Sequence, residues 1–447
     1  MSGPTTYPSL SGRVPVAQAV PWPLTAIFLA LLTMVFVGVQ PFQERMPATD
    51  LITGPYQTTG GGDALRQILY LLVFVSAVTL AFLKRGFGLI TAVPPMLIAI
   101  LLWCLLSVLW AEAQDVALRR AVLAIVLTFS VVLLVDALGI ERSLSILRAV
   151  MIGVLIVNWV SVFLVHQAIH LPGEQDADLV GDWRGLYFHK NIAGAVCALS
   201  AMVFIFSAFR SRPWLNIGLA LAATGFLVMS RSKSSLGLMP LAVVLGLAYR
   251  FAWRRDLDRL IVAVLVSLAA LAMATVTIAS MASISQTLDD PTGFTGRSAI
   301  WAAELAFIRD HPFLGYGFGT FADSGSLSPL HNYVAGTWVE FVAHGHNGYL
   351  QLLVTIGGIG FALAVIGLIL VPAVQFWRRE NVDLNLKALL FAIFVFIVMH
   401  NMMESDFLEN DSPVWVTFLM MLAMLGRLRR GTSVLGTSGR AANVARE

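Results

Sequence analysis

About twelve stretches of this 447-residue chain are apolar over roughly the 20 residues that a helix needs to cross a bilayer. They run near Leu24–Val39, Ala64–Phe82, Gly88–Trp110, Ala121–Leu138, Leu144–His166, Ile192–Phe209 and Trp214–Met229. The others are near Leu236–Phe251, Leu260–Met281, Gly348–Val374, Ala388–Met403 and Val414–Leu425. Charged residues are 12% of the chain and apolar ones 58%, where a soluble domain has about 25% and 45–50%. That excludes a soluble multidomain enzyme, a disordered chain and a nucleic-acid binder. The expectation is an all-α polytopic membrane protein, a single integral membrane domain over residues 1–447. Its two cysteines, Cys104 and Cys197, lie inside apolar runs, so neither a disulfide framework nor a metal-type spacing is present. The first stretch is short and follows Arg13, like a signal peptide. Only Gln40-Pro41 follows it, without a small-residue cleavage site, so it reads as a retained anchor.

Lys and Arg concentrate in the cytoplasmic loops of membrane proteins. With both termini cytoplasmic, the inside loops hold Lys84, Arg85, Arg142, Arg210, Arg212, Arg250, Arg254, Arg255, Arg259, Arg378, Arg379 and Lys387. A cytoplasmic basic tail at 426–447 adds Arg427, Arg429 and Arg430. The outside loops hold Glu174, Asp176, Asp178, Asp182, Asp289, Asp290, Glu404 and Asp406. The net charge of +3 follows from this bias and calls for no acidic partner. Eight basic residues fall outside against the trend: Arg119, Arg120, Arg184, Lys190, Arg231, Lys233, Arg297 and Arg309. Each taken alone is explained by pairing with an acid or a lipid headgroup. Several on one face point instead to an outward-facing anionic ligand.

Two outer connections are long, His166–Asn191 and Ala282–Asn347. The second carries Phe294, Trp301, Phe307, Phe313, Phe318, Phe321, Tyr333, Trp338 and Phe341. It is therefore expected to fold as a cap over the membrane domain, between spans nine and ten. Within it, Arg297–Arg309 reads as a helix with Ile300, Trp301, Leu305 and Ile308 on its apolar face, ended by His311-Pro312. A cation at a helix N-terminus opposes the macrodipole, so helix stability does not account for Arg297. Guanidinium beside free N–H groups makes a phosphate site, and an ion pair with Asp289 or Asp290 explains the residue equally. Further on, His346 in His344-Gly345-His346-Asn347-Gly348 sits at the N-terminal mouth of a long apolar helix. There the positive helix end disfavours imidazolium and leaves a neutral ring suited to general-base work. A hydrogen-bonded structural histidine is the plainer reading. A zinc site is not expected, because no third ligand stands at metal spacing.

Five segments, in order, resemble the O-antigen ligase and polysaccharide polymerase family of bacterial inner membranes. Asp182-Trp183-Arg184-Gly185 through His189-Lys190-Asn191 is similar to a segment before the sixth span, and is especially like exopolysaccharide polymerases of the succinoglycan type. Ser232-Lys233-Ser234-Ser235-Leu236 resembles a basic loop in which ligases commonly carry arginine at the position of Lys233. Gly296-Arg297 with Trp301, His346-Asn347 with Gly357 and Gly360, and Asn401 with Glu404-Ser405 complete the set.

The resemblance implies a metal-independent, inverting glycosyltransferase of the GT-C type with no cofactor, whose active site faces the periplasm. The donor would be an oligosaccharide on undecaprenyl pyrophosphate and the acceptor a glycan hydroxyl or lipid A-core. His346 would be the base. Arg297, Lys233 or Arg231, Arg184, His344, Asn347 and Glu404 would bind substrate. Membrane lipids, and a chain-length regulator or flippase, are the implied partners. Polymerase is preferred and ligase is the alternative. A secondary transporter or lipid flippase is the competitor from another class, disfavoured by span centres almost clean of ionisable residues. The orientation is open to a direct test. A periplasm-active reporter fused at Asp323 should work and one at Arg255 should be silent. The opposite result would overturn the whole arrangement.

Overall fold

A computed structural model describes residues 22–43, 64–174, 177–252, 297–322, 327–334, 345–378 and 383–444, with isolated positions between 264 and 275. The helices in chain order are α1 (Trp22–Val37), α2 (Ala64–Arg85), α3 (Pro95–Leu106), α4 (Gln114–Leu138), α5 (Ile140–Leu164), α6 (Lys190–Ala208) and α7 (Pro213–Ser230). They continue as α8 (Lys233–Ala252), α9 (Arg297–Asp310), α10 (Leu330–Val334), α11 (Gly348–Ala364), α12 (Val371–Trp377), α13 (Leu384–His400) and α14 (Pro413–Val444). Among the described residues there is no strand, only the isolated bridge between Ile169 and Trp183. The protein is a polytopic all-α membrane protein.

Among the described residues seven helices are long and apolar enough to span a bilayer, and α1 and α13 are shorter apolar helices. The expected span over Leu260–Met281 lies almost wholly outside the described residues. The expected span over Gly88–Trp110 is not one straight helix. A 3-10 segment, Gly86–Ala92, meets the helix Pro95–Leu109 at 90°. The cause is local: Val93 is extended ahead of Pro94-Pro95, and a residue before proline is driven out of the helical region. The expected tail from 426 continues helix α14 as far as Val444.

Helices α6, α8, α13 and α14 form the centre, with Phe204, Phe206, Phe396 and Trp415 all fully or nearly fully buried. At one end of the bundle, Asp136 at the end of α4 is 6% exposed and gathers Arg85 at 2.7 Å, Arg430 at 2.9 Å and Arg427 at 3.4 Å. Arg210 at the same end bridges Glu141 (2.7 Å) and Asp383 (3.2 Å). At the other end Arg66 meets Asp411 and Arg231 meets Asp182. Each of these contacts joins loops that the charge pattern puts on the same side.

The long helix after His346 is broken, and the break positions the outer segment. Gly357 has φ +66°, and a Cβ there would lie 2.2 Å from the Phe313 carbonyl oxygen. The opened turn takes in the chain from Pro312 to Gly317. Gly358 N donates to Pro312 O (2.8 Å), and Tyr316 N donates to Val354 O (2.9 Å). A side chain at 357 would forbid this approach. Gly360 packs on Trp103, whose indole donates to Ile356 O at 2.9 Å. Gly357 and Gly358 thus anchor the 312–317 segment to the membrane helix, while Gly360 seats α3 against it.

Candidate active site

Three chain segments meet at Glu404, in the turn after α13. One oxygen, Oε1, accepts from the Asn191 side-chain amide at 2.8 Å. The other, Oε2, lies 3.1 Å from His346 Nδ1. A carboxylate only accepts, so it places the proton on Nδ1 and leaves Nε2 as the basic atom. The His346 side chain is 30% exposed against 12% for Glu404, so the imidazole is partly open while its partner is covered.

The backbone around His346 is fixed at several points. His346 sits in the left-handed region at φ +51°, a conformation uncommon outside glycine that has to be held by its surroundings. The next residue, Asn347, caps α11, its Oδ1 accepting from Tyr349 N (3.1 Å) and Leu350 N (3.2 Å). Asn347 N donates to Ser405 Oγ at 3.1 Å, and Gly348 N donates to Asn401 O at 2.8 Å. On the other side, Trp301 of α9 donates from Nε1 to Gly345 O at 2.8 Å. The histidine loop is therefore held between the cap helix and the turn at 401–405.

The cations are arranged around Asp182 in the 166–191 loop. Lys190 Nζ lies 2.6 Å from its Oδ2 and Arg231 Nη1 lies 3.2 Å from its Oδ1. Because Lys190 precedes Asn191, a polar string runs from Arg231 through Asp182, Lys190, Asn191 and Glu404 to His346. Arg231 ends α7 with φ +49° and its side chain is 71% exposed, so it meets Asp182 and still reaches outward. Lys233, the first residue of α8, is exposed and has no hydrogen bond or ion pair among the described residues.

Other expected site residues have different placements. Arg184 is fully buried; its guanidinium donates to Gln43 O and Phe188 O, both at 3.1 Å, and lies 3.7 Å from Glu174. It braces the 166–191 loop from inside. Burial would raise the Glu174 carboxyl, but hydrogen bonds from His170 and Leu171 N hold it below the ordinary range. Arg119 pairs with Asp115 in its own helix, and Arg120 donates to Gly319 O. Arg297 begins α9 as expected, with its side chain outside the described residues, and His344 also lies outside them. Among the described residues no three His, Cys, Asp or Glu side chains converge to hold a metal ion.

Sequence reasoning missed a second cluster. Ser235 Oγ of α8 lies 3.1 Å from His400 Nε2, and His400 Nδ1 lies 2.7 Å from Asp406 Oδ2, all three buried. His400 O also accepts from Glu404 N at 2.9 Å. The cluster joins the helix that starts at Lys233 to the turn carrying Glu404. Nothing in the spacing of 235, 400 and 406 announces it. Asn191 and Ser405 had been read only as parts of family segments. The buried stitch makes a testable claim. Ser235→Ala or Asp406→Ala each leaves a buried imidazole nitrogen unsatisfied, costing about 1–3 kcal/mol. In detergent melting curves each should lower the midpoint, and the double variant should lose less than the sum of the two. Strict additivity would show that His400 does not couple them.

Residues 217–365 match a family model described as O-antigen ligase. The match runs from α7 through Arg231, Lys233 and His346 past the break at Gly357, a third of the chain, while Asp182, Lys190, Asn191 and Glu404 lie outside it. No curated protein matches the chain. Residues 217–365 of this all-α polytopic chain are thus similar to the O-antigen ligase domain.

Proposed function

We propose that the protein is a glycosyltransferase of the periplasmic face of the inner membrane, which joins glycan carried on undecaprenyl pyrophosphate to an acceptor hydroxyl. The observation that carries this reading is the His346–Glu404 pair, a partly exposed imidazole oriented by a covered carboxylate. In such a pair the carboxylate fixes the ring and its tautomer, and Nε2 takes the proton of the attacking hydroxyl. The oxygen then displaces pyrophosphate from the anomeric carbon in line, inverting that centre. The leaving group carries away the bond's electron pair, and nearby cations stabilise its charge. Lys233 and Arg231 are candidates for that role from the described residues, and Arg297 from the start of α9. This route needs no bound metal.

Polymerase is the preferred reaction, from the resemblance at Arg184–Asn191 and the lysine at 233, with transfer of finished polymer to lipid A-core as the second reading. A deletion strain separates them. Without a polymerase, single repeat units should accumulate on the lipid carrier and long polysaccharide should be missing. Long polymer persisting on the carrier with lipid A-core unmodified would make this a ligase. An unchanged pool of lipid-linked glycan would remove both.

A further inference from the structure

Glu304 stands where an apolar residue would be expected. It lies on the buried stripe of α9 with Ile300, Trp301, Ala303 and Phe307, and it is 1% exposed. Its Oε2 has no hydrogen-bond partner among the described residues. The carboxyl rests against Gly345, the residue before His346: a Cβ on Gly345 would lie 2.0 Å from Oε1. One turn earlier, Trp301 holds the same residue through its carbonyl at 2.8 Å. So one face of one helix supports the loop that carries the base.

An isolated ionised carboxylate in such a place is very costly, and the group remains neutral instead. Burial pushes the Glu304 carboxyl up to about 8. The elements packed on α9 carry few titratable groups. They are His331 and Tyr333 on α10, Tyr349 on α11, His311 and the Glu112-bonded Tyr316 against Phe307, and His346 with Glu404 behind it. On α9 itself Asp310 accepts from Tyr333 OH at 2.7 Å, and Arg309 is exposed. Among the described residues no charge offsets the burial.

We propose that Glu304 is a positioning residue for the glycosyl transfer: as a neutral acid it fills the space under Gly345 and fixes His346, and its ionisation loosens the loop. The proposal rests on His346 being the base. The sign is definite. The folded protein binds a proton at Glu304 that the unfolded chain releases above the ordinary glutamate range. Stability from this group therefore falls as pH rises from about 4.5 to about 8 and then levels.

The test uses the full chain in proteoliposomes with lipid-linked glycan extracted from host membranes, together with labelling of His346 by diethyl pyrocarbonate, read by mass spectrometry. In the wild type, transfer should fall by roughly tenfold per pH unit above about 8, with His346 labelling rising over the same range. Glu304→Gln keeps the shape without the ionisation, so it should stay active at pH 7 and lose both changes. Glu304→Ala should lower kcat at every pH, with little change in donor KM, at equal protein level. A Glu304→Gln enzyme that is dead at pH 7, or that keeps the wild-type alkaline fall and labelling step, overturns the proposal. If labelling shows the step in wild type only, while no preparation transfers glycan, Glu304 still holds the His346 loop, but the catalytic reading of His346 fails and with it the role in transfer.

Discussion

The carboxylate of Glu404 is the contact on which the arrangement of the site depends. Through it the loop before α6, the histidine loop before α11 and the turn after α13 share one polar centre, although 213 residues separate Asn191 from Glu404. An acid next to apolar helices is stable only when its oxygens are satisfied. Here Asn191 and His346 do that, and the same contact orients the His346 ring. Replacing either partner would leave a covered charge without its hydrogen bond. The requirement of burial and the requirement of chemistry therefore fall on the same three side chains.

Around this centre the protein separates two kinds of cation. Arg184 and Lys190 work inward: the first ties backbone carbonyls together and the second neutralises Asp182. Arg231 and Lys233 stand at a helix end and a helix start and are exposed. Among the described residues they are exposed cations close to the Glu404 centre, placed where an anionic ligand could meet them. The buried Ser235–His400–Asp406 stitch lies between that helix start and the Glu404 turn, so the cationic edge and the His346–Glu404 pair belong to one packed unit.

Much of this was legible in the residues, and the boundary has a physical reason. Apolar runs report burial in lipid, so the all-α polytopic class could be read directly. The proline-terminated helix at Arg297–Asp310 and the helix mouth at Asn347 are local signals of the same kind. The break at Val93-Pro94-Pro95 was also local, and the two prolines should have stopped the expected span. Partners across the bundle are different. Basic residues at 120, 184 and 190 looked alike in sequence, yet one bonds a carbonyl, one is buried and one pairs with Asp182. Glu304 could have been noticed, since an acid three residues from both Trp301 and Phe307 sits on the helix's buried stripe. The Ser235, His400 and Asp406 contacts could not, because they depend on how α8 and α13 pack.

The central claim is that His346, oriented by Glu404, removes the proton of the acceptor hydroxyl. It is tested most directly by the initial rate of glycan transfer from lipid-linked donor, comparing wild type with His346→Ala and Glu404→Gln at equal protein level. The account predicts a loss on the order of 10²–10⁴ for His346→Ala. It predicts a smaller loss for Glu404→Gln, which keeps a hydrogen-bonding oxygen for the ring but not its charge. A His346→Ala enzyme that transfers glycan at the wild-type rate would contradict it.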